Sequence, residues 1–140
     1  MIAEWAADHG DAPREHQRVT VNTEAELDAV LDRVLRRGVP QMVDVYPEDD
    51  VDAPAWQTVG LQVGLGHDSR GFVWFSNGTN AAFGYEDDLE GWADSITFDH
   101  GGVPTSYSPE RTRVRPATAR KAAHEFLRTG KRPTCVAWPS

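Results

Sequence analysis

The sequence predicts an α+β domain in which two helices pack on one face of a mainly antiparallel sheet. Two segments, 23–38 and 116–130, carry apolar residues at helical spacing. The segments around them are short and alternate apolar with polar residues, as half-buried strands do. Tight turns rather than long crossovers join the central strands. The order βαβββββ(β)αβ therefore favours an antiparallel sheet covered by helices.

A short strand at 16–22 precedes the first helix. Thr23 and Glu26 have the spacing of a capping box, in which the hydroxyl and the carboxylate satisfy free N–H groups at a helix start. Gly38 provides the stop signal. The buried stripe is predicted to consist of Leu27, Val30, Leu31, Val34 and Leu35.

Four further strands are predicted in the middle of the chain, at 41–46, 57–65, 71–76 and 81–85. The second alternates apolar residues with polar ones and has Gly60 and Gly64 on its second face, which indicates close approach by a backbone or a ring. The third is apolar on both faces and is expected to be central. Asn77 and Gly78 indicate a hairpin turn, which Thr79 and Asn80 can lengthen.

The last part of the chain predicts a hairpin, a helix and a closing strand. Ile96 begins a strand, Gly101 and Gly102 form a turn, and a return strand follows to Tyr107. Pro116 fits the first turn of a helix. The helix stripe is predicted to be Ala119, Ala122, Ala123, Phe126 and Leu127, with Gly130 as the stop and a terminal strand over 134–138.

The length of 140 residues fits one domain. We expect residues 1–15 to form a flexible N-terminal arm, with Trp5 as an anchor, and residues 16–140 to form a single α+β domain. No stretch is apolar enough to span a bilayer, and the acidic N-terminus does not resemble a signal peptide. The expected location is the cytoplasm.

Charge is distributed unevenly along this chain of net charge −8. Residues 1–40 carry 8 acidic and 5 basic residues, residues 41–99 carry 12 acidic residues and the single base Arg70, and residues 100–140 carry 2 acidic and 8 basic residues. The acidic middle opposes binding to bare nucleic acid or to an anionic membrane, and it attracts a basic partner. The arginines 111, 113 and 115 are expected to balance part of it within the molecule.

No catalytic, metal or cofactor motif accompanies the polar residues. His67 with Asp68 and Asp99 with His100 are two pairs that an enzyme could use as a base with its orienting group, or as metal ligands. Such pairs are more commonly solvated residues of turns, with no role in catalysis or metal binding. Cys135 is the only cysteine, which excludes a multi-cysteine metal site and an internal disulfide. We therefore expect no catalytic residue, no metal and no cofactor.

Two acidic clusters are the candidate binding residues. Each is expected to follow a strand and each precedes a tryptophan, and aromatic side chains beside dense charge are typical of protein-binding surfaces. Solvated loops with a packed tryptophan beneath them are the simpler interpretation of the same pattern. The candidates are Glu48, Asp49, Asp50, Asp52 and Trp56 in the first cluster, and Glu86, Asp87, Asp88, Glu90 and Trp92 in the second.

Three stretches give the chain a resemblance to a known family. They are residues 71–75 (GFVWF), residues 96–105 (ITFDHGGVPT) and residues 119–138, which contain the run EFLRTGKRPTCVAW. In these stretches the chain resembles the Imm1 family of immunity proteins from bacterial polymorphic toxin systems, over about residues 17–138.

The resemblance implies a non-enzymatic antitoxin that binds a cognate toxin and blocks its active site or access to its substrate. It also implies a toxin of the nucleic-acid deaminase class. An inhibitor with an acidic segment can occupy the basic groove of such a toxin. The alternatives are a small metal-dependent or hydrolytic enzyme that uses the four histidine and aspartate residues, and a generic acidic adaptor for another basic protein.

Overall fold

The structure is a computed structural model that describes residues 1–7, 15–50, 59–100 and 102–140. For residues 6, 7, 15, 16 and 50 it describes the backbone alone. In these ranges the elements are β1 (Ile2–Ala7), β2 (Glu15–Thr20), α1 (Glu24–Leu35), β3 (Gln41–Tyr46), β4 (Gly60–Leu65), β5 (Phe72–Ser76), β6 (Ala81–Phe83), β7 (Ile96–His100), β8 (Val103–Tyr107) and α2 (Pro116–Thr129). Short 3-10 turns occupy Glu48–Asp50 and Pro109–Thr112.

The predicted α+β fold is confirmed. Six strands lie in the order β2-β1-β3-β4-β5-β6, and every neighbouring pair is antiparallel. The β7–β8 hairpin joins this sheet through one parallel bridge between Gln41 and Asp99. Neither helix is long and apolar enough to cross a membrane, as judged over the described residues.

Both helices pack on the same face of the sheet. Alternation along the strands directs Val43, Val63 and Val73 to this face, where they join one core with Leu27 of α1 and Phe126 of α2. All five side chains are fully or almost fully buried. The capping box is present, since the Glu26 N–H donates to Thr23 Oγ1 at 3.1 Å. Gly130 ends α2 with a φ of +66°.

The opposite face of β5 is covered by the β7–β8 hairpin. Phe72 stacks on Tyr107 with ring centroids 4.3 Å apart, and its ring meets the edge of Phe98 at 5.0 Å. A Cβ at Gly64 would overlap both phenylalanine rings. The expectation of close approach by a ring is therefore confirmed at Gly64, whereas a Cβ at Gly60 would meet its nearest atom only at 3.7 Å.

The expectation of a flexible arm is wrong for residues 2–7, which form β1 in the interior of the sheet, between β2 and β3. Ala3 and Trp5 face the helices and are buried in the main core. Glu4 faces the other side, where its carboxylate binds Arg18 at 2.7 Å. Residues 8–14 of the expected arm lie outside the described residues.

The expectation of a terminal strand is also wrong. Residues 134–138 make a single antiparallel bridge, between Ala137 and Tyr85. The segment folds back on itself, because the Trp138 indole N–H donates to the Pro133 carbonyl at 2.8 Å. Glu125 of α2 binds Thr134 through both the hydroxyl and the backbone N–H. These local bonds hold the segment in a compact loop rather than an extended strand.

Candidate functional site

The structure separates the two acidic clusters. Gln41 pairs with Leu65 at one end of the sheet, and Gly60 pairs with Ser76 at the other. The turn at 48–50 follows β3 at the Gly60 end, whereas the loop at 86–94 follows β6 at the Gln41 end. A strand of this length separates its two ends by about 16 Å, at 3.3 Å per residue. The described part of the first cluster, the turn at Glu48–Asp50, therefore does not form one continuous patch with the second cluster.

The first cluster is only partly described. Glu48 and Asp49 lie in the 3-10 turn after β3, and both side chains are exposed. Asp50 belongs to the same turn, but its side chain is not described. Asp52 and Trp56 lie outside the described residues.

In the second cluster, Glu86 binds the start of α2. Its carboxylate accepts a hydrogen bond from the Arg115 backbone N–H at 2.7 Å and another from the Thr118 hydroxyl at 2.9 Å. The Arg115 guanidinium also pairs with it at 3.1 Å. Only 14% of the Glu86 side chain is exposed. This carboxylate caps a helix from within the fold.

Asp88 shares the Arg115 guanidinium but faces solvent. The two side chains pair at 3.1 Å, and 75% of the Asp88 side chain remains exposed. Hydrogen bonds from Arg115, together with its charge, lower the pKa of Asp88 below its ordinary value. The expectation that arginines 111, 113 and 115 balance part of the acidic middle is therefore confirmed for Arg115 alone, since the other two pair with no carboxylate among the described residues.

Asp87 and Glu90 are exposed and make no ion pair within the described part of the chain. Two arginines fix the loop that carries them by donating hydrogen bonds to its backbone carbonyls. Arg113 Nε binds the Leu89 carbonyl at 2.7 Å, and Arg70 Nη1 binds the Glu90 carbonyl at 2.5 Å. The loop is therefore fixed through its backbone, while the side chains of Asp87 and Glu90 remain exposed.

Trp92 packs beneath this loop. The Arg70 guanidinium lies 5.0 Å from its ring centroid, and the His67 ring meets it edge-on at 5.4 Å. The indole also packs against the aromatic cluster on the hairpin face of the sheet. These contacts give Trp92 a structural role; a direct contact with a partner stays a prediction.

Two of the four residues of the enzyme hypothesis, His67 and Asp99, have structural partners. His67 Nδ1 accepts from the backbone N–H groups of Ser69 and Arg70, each at 3.1 Å, which shapes the turn after β4. Asp99 pairs with Arg37 at 3.1 Å. His100 ends β7. Across the described ranges, no group of three or more His, Cys, Asp or Glu residues is arranged to hold a metal ion.

Asp68 lies on a turn that packs against the loop of the second cluster, a proximity that the sequence does not indicate. It is exposed and lies between His67, whose ring contacts Trp92, and the turn that leads to Arg70. The structure thus places its loop against the 86–94 loop. We call the exposed carboxylates of these two loops the acidic loop surface; its members are Asp68, Asp87, Asp88 and Glu90.

Arg70 explains why this surface stays acidic. It is the only base among residues 41–99, and it is just 8% exposed. Its guanidinium is occupied by the Glu90 carbonyl and the Trp92 ring.

The fold and this surface define a small α+β domain that presents carboxylates on loops held by the buried Arg70 and the half-buried Arg113. Residues 15–140 match the family model described as Immunity protein Imm1. The chain belongs to the Imm1 immunity protein family, which confirms the resemblance identified from the sequence. A comparison with curated proteins gives no match. Membership in an immunity protein family implies a cognate toxin as the partner and a binding role rather than catalysis.

Proposed function

We propose that this protein neutralises a nucleic-acid deaminase toxin by placing its acidic loop surface in the basic substrate groove of the toxin. One observation carries the proposal: Arg70 and Arg113 hold the 86–94 loop by its carbonyl groups. This arrangement leaves the carboxylates of Asp68, Asp87 and Glu90 without an ion pair in the described chain, so they are free to meet a cationic partner.

A toxin that grips a polyanion needs a cationic groove. A surface that carries four carboxylates on two fixed loops can imitate the phosphate groups of the substrate. Opposite charges also accelerate association, because the field of the inhibitor steers the encounter. Because the arginines already fix the loops, less conformational entropy is lost on binding.

The cluster at the other end of the sheet forms a second candidate contact. Glu48 and Asp49 are exposed, and Asp50, Asp52 and Trp56 extend the same chain segment. At a separation of about 16 Å along the strand direction, a single groove would have to span the sheet to reach both clusters. We therefore assign the main contact to the acidic loop surface, with Trp92 beneath it.

The gene beside this one is expected to encode a protein that ends in a toxin domain. The purified domain should lose its deaminase activity on single-stranded or double-stranded DNA or RNA when an equimolar amount of this protein is added. Activity that is unchanged at saturating concentrations contradicts the proposal. Inhibition of a toxin that acts on something other than nucleic acid would support the immunity function and contradict the deaminase assignment.

A further inference from the structure

The outer edge of β6 has backbone groups available for pairing. Gly84 N–H donates to the Val73 carbonyl at 2.8 Å, and the Asn80 carbonyl accepts from Asn77 at 3.0 Å, so the even-numbered positions face β5. By alternation, Ala81 and Phe83 direct their N–H and C=O groups outward. In the described sheet, β6 pairs with β5 alone.

At Tyr85, the next position whose backbone groups point outward, another segment of the chain already pairs with this edge. Tyr85 exchanges two backbone hydrogen bonds with Ala137, at 2.9 and 2.7 Å, in an antiparallel bridge. Continuing this register would place Pro139 opposite Phe83. Proline has no N–H to donate, so this segment is unsuited to extending the ladder along β6. The edge at Ala81 and Phe83 is left for another chain.

A cleft of about 750 Å³ borders this edge. Its walls include β6 itself and side chains that combine aromatic rings with charge, namely Phe83, Tyr85, Trp138, Glu110, Arg113 and Arg132. Concave sites with aromatic walls and a few charged groups are typical of peptide and ligand binding. The cleft thus offers room for side chains beside the free backbone groups.

Three arginines around the cleft lie over aromatic rings. Arg111 lies 5.1 Å from the Phe83 centroid, Arg113 4.9 Å from that of Tyr85, and Arg132 5.3 Å from that of Trp138. None of the three makes a salt bridge to a carboxylate within the described residues. Glu110 is the one carboxylate side chain that the described cleft wall sets against these arginines, so in a chain of net charge −8 there remains a local excess of positive charge that favours an anionic ligand.

β6 also differs from the strand at the opposite edge of the six-strand order. β2 contains the charged residues Glu15 and Arg18, and charges on an edge strand discourage pairing with another chain. β6 has the sequence Ala-Ala-Phe and carries no charge. Its edge therefore lacks this protection.

We propose that the β6 edge and its cleft bind an extended acidic segment of the partner protein as an added strand. Backbone hydrogen bonds to Ala81 and Phe83 would supply the pairing, and carboxylates of the segment would meet Arg132, whereas Arg113 already donates to the Leu89 carbonyl. The identity of the partner as a toxin rests on the proposed function. The β6 site presents arginine side chains where the neighbouring acidic loop surface presents carboxylates, so contacts of opposite charge at the two sites would fix the orientation of the partner.

The test uses the full chain, labelled for NMR, and a short capped peptide that alternates valine with aspartate. We expect the amide signals of Ala81 and Phe83 to shift and their hydrogen exchange to slow, with a dissociation constant on the order of millimolar or tighter. The matched peptide that alternates valine with lysine should bind at least about tenfold more weakly. Equal binding of the two peptides, or shifts confined to other residues, would overturn the proposal.

Two further arms separate strand pairing from simple anion binding. N-methylation of the peptide amides that would pair with β6 should abolish binding, whereas N-methylation of the amides on the other edge of the peptide should be tolerated. Equal effects on both edges would overturn strand addition.

Arg132→Glu should weaken binding of the acidic peptide about tenfold, whereas Arg36→Glu on α1 should leave it unchanged. A single-stranded oligonucleotide that shifts the same amides more strongly than the acidic peptide would also overturn the proposal. These measurements need no toxin, so their failure is independent of any failure of the inhibition assay.

Discussion

The Glu86 carboxylate accepts a hydrogen bond from the backbone N–H of Arg115 at 2.7 Å, across 29 residues of sequence. This bond joins the end of the central strands to the start of α2. It also divides the second acidic cluster by role, because Glu86 turns inward while its neighbour Asp87 is exposed. An acidic run in a sequence can therefore contain a structural residue and a candidate binding residue side by side.

Removal of the carboxylate is therefore predicted to lower the free energy of unfolding more at Glu86 than at Asp87. Glu86→Ala removes the carboxylate that binds the Arg115 N–H and the Thr118 hydroxyl at the start of α2, so we expect a loss of about 1–2 kcal/mol in the free energy of unfolding. Asp87→Ala should stay within about 0.5 kcal/mol of the wild type. Urea unfolding of the two variants checks this, and equal stabilities would contradict the capping role of Glu86.

Local signals in the sequence predicted most elements correctly. The capping box of Thr23 and Glu26 and the stop at Gly130 involve bonds between residues a few positions apart, so the sequence carries them directly. β1 was missed because its stability comes from partners that are distant in sequence. An example is Asp44 of β3, which pairs with Glu4 of β1. Its alanines also have little strand preference of their own.

The relative positions of the two acidic clusters can be predicted only when the order and direction of the strands are known. Both clusters do follow strands, as expected, but three chain reversals separate the end of β3 from the end of β6. An odd number of antiparallel reversals places the two strand ends at opposite ends of a sheet. Counting the predicted turns would have shown this. The contact between the His67 turn and Trp92 had no comparable signal, because it depends on side-chain packing across 25 positions of sequence.

Gly64 is predicted to be sensitive to any side chain. A methyl group there would overlap the rings of Phe72 and Phe98, so Gly64→Ala should destabilise the fold by about 1–3 kcal/mol. Gly60→Ala is the matched control on the same strand, since a Cβ there meets its nearest atom at 3.7 Å. The control should be neutral or slightly stabilising. Thermal unfolding of both variants measures the difference; similar values would contradict the packing argument.

The contact between the helices is predicted to weaken in acid. Arg120 and His124 of α2 both bind Asp28 of α1, at 2.8 and 2.7 Å. Burial raises the pKa of Asp28, but the hydrogen bonds and the charges of these partners outweigh that effect and lower it below 3.8. A lowered pKa means that the contribution is fully present above about pH 5 and is lost as the pH falls through the pKa of the folded state.

Asp28→Asn should therefore be less stable than the wild type at neutral pH, and the difference should shrink in acid. Urea unfolding between neutral pH and about pH 3 measures it. Combining this change with Arg120→Gln should cost less than the sum of the two single changes, since both remove the same ion pair. A stability difference that stays constant down to the lowest pH would contradict the assignment to Asp28.

The last prediction concerns the rate at which the toxin is captured. Asp87→Lys combined with Glu90→Lys reverses two charges of the acidic loop surface, and Glu48→Lys combined with Asp49→Lys makes the same net change at the other end of the sheet. If the acidic loop surface enters a basic groove, the first pair should slow association by about tenfold at low ionic strength and reduce its dependence on salt. The second pair should have a smaller effect, because charges outside the contact are screened over about 8–10 Å. Stopped-flow measurements over a range of salt concentrations decide between the two ends. A larger effect of the second pair would move the contact to the turn after β3, and equal rates for all three proteins would contradict electrostatic capture at either end.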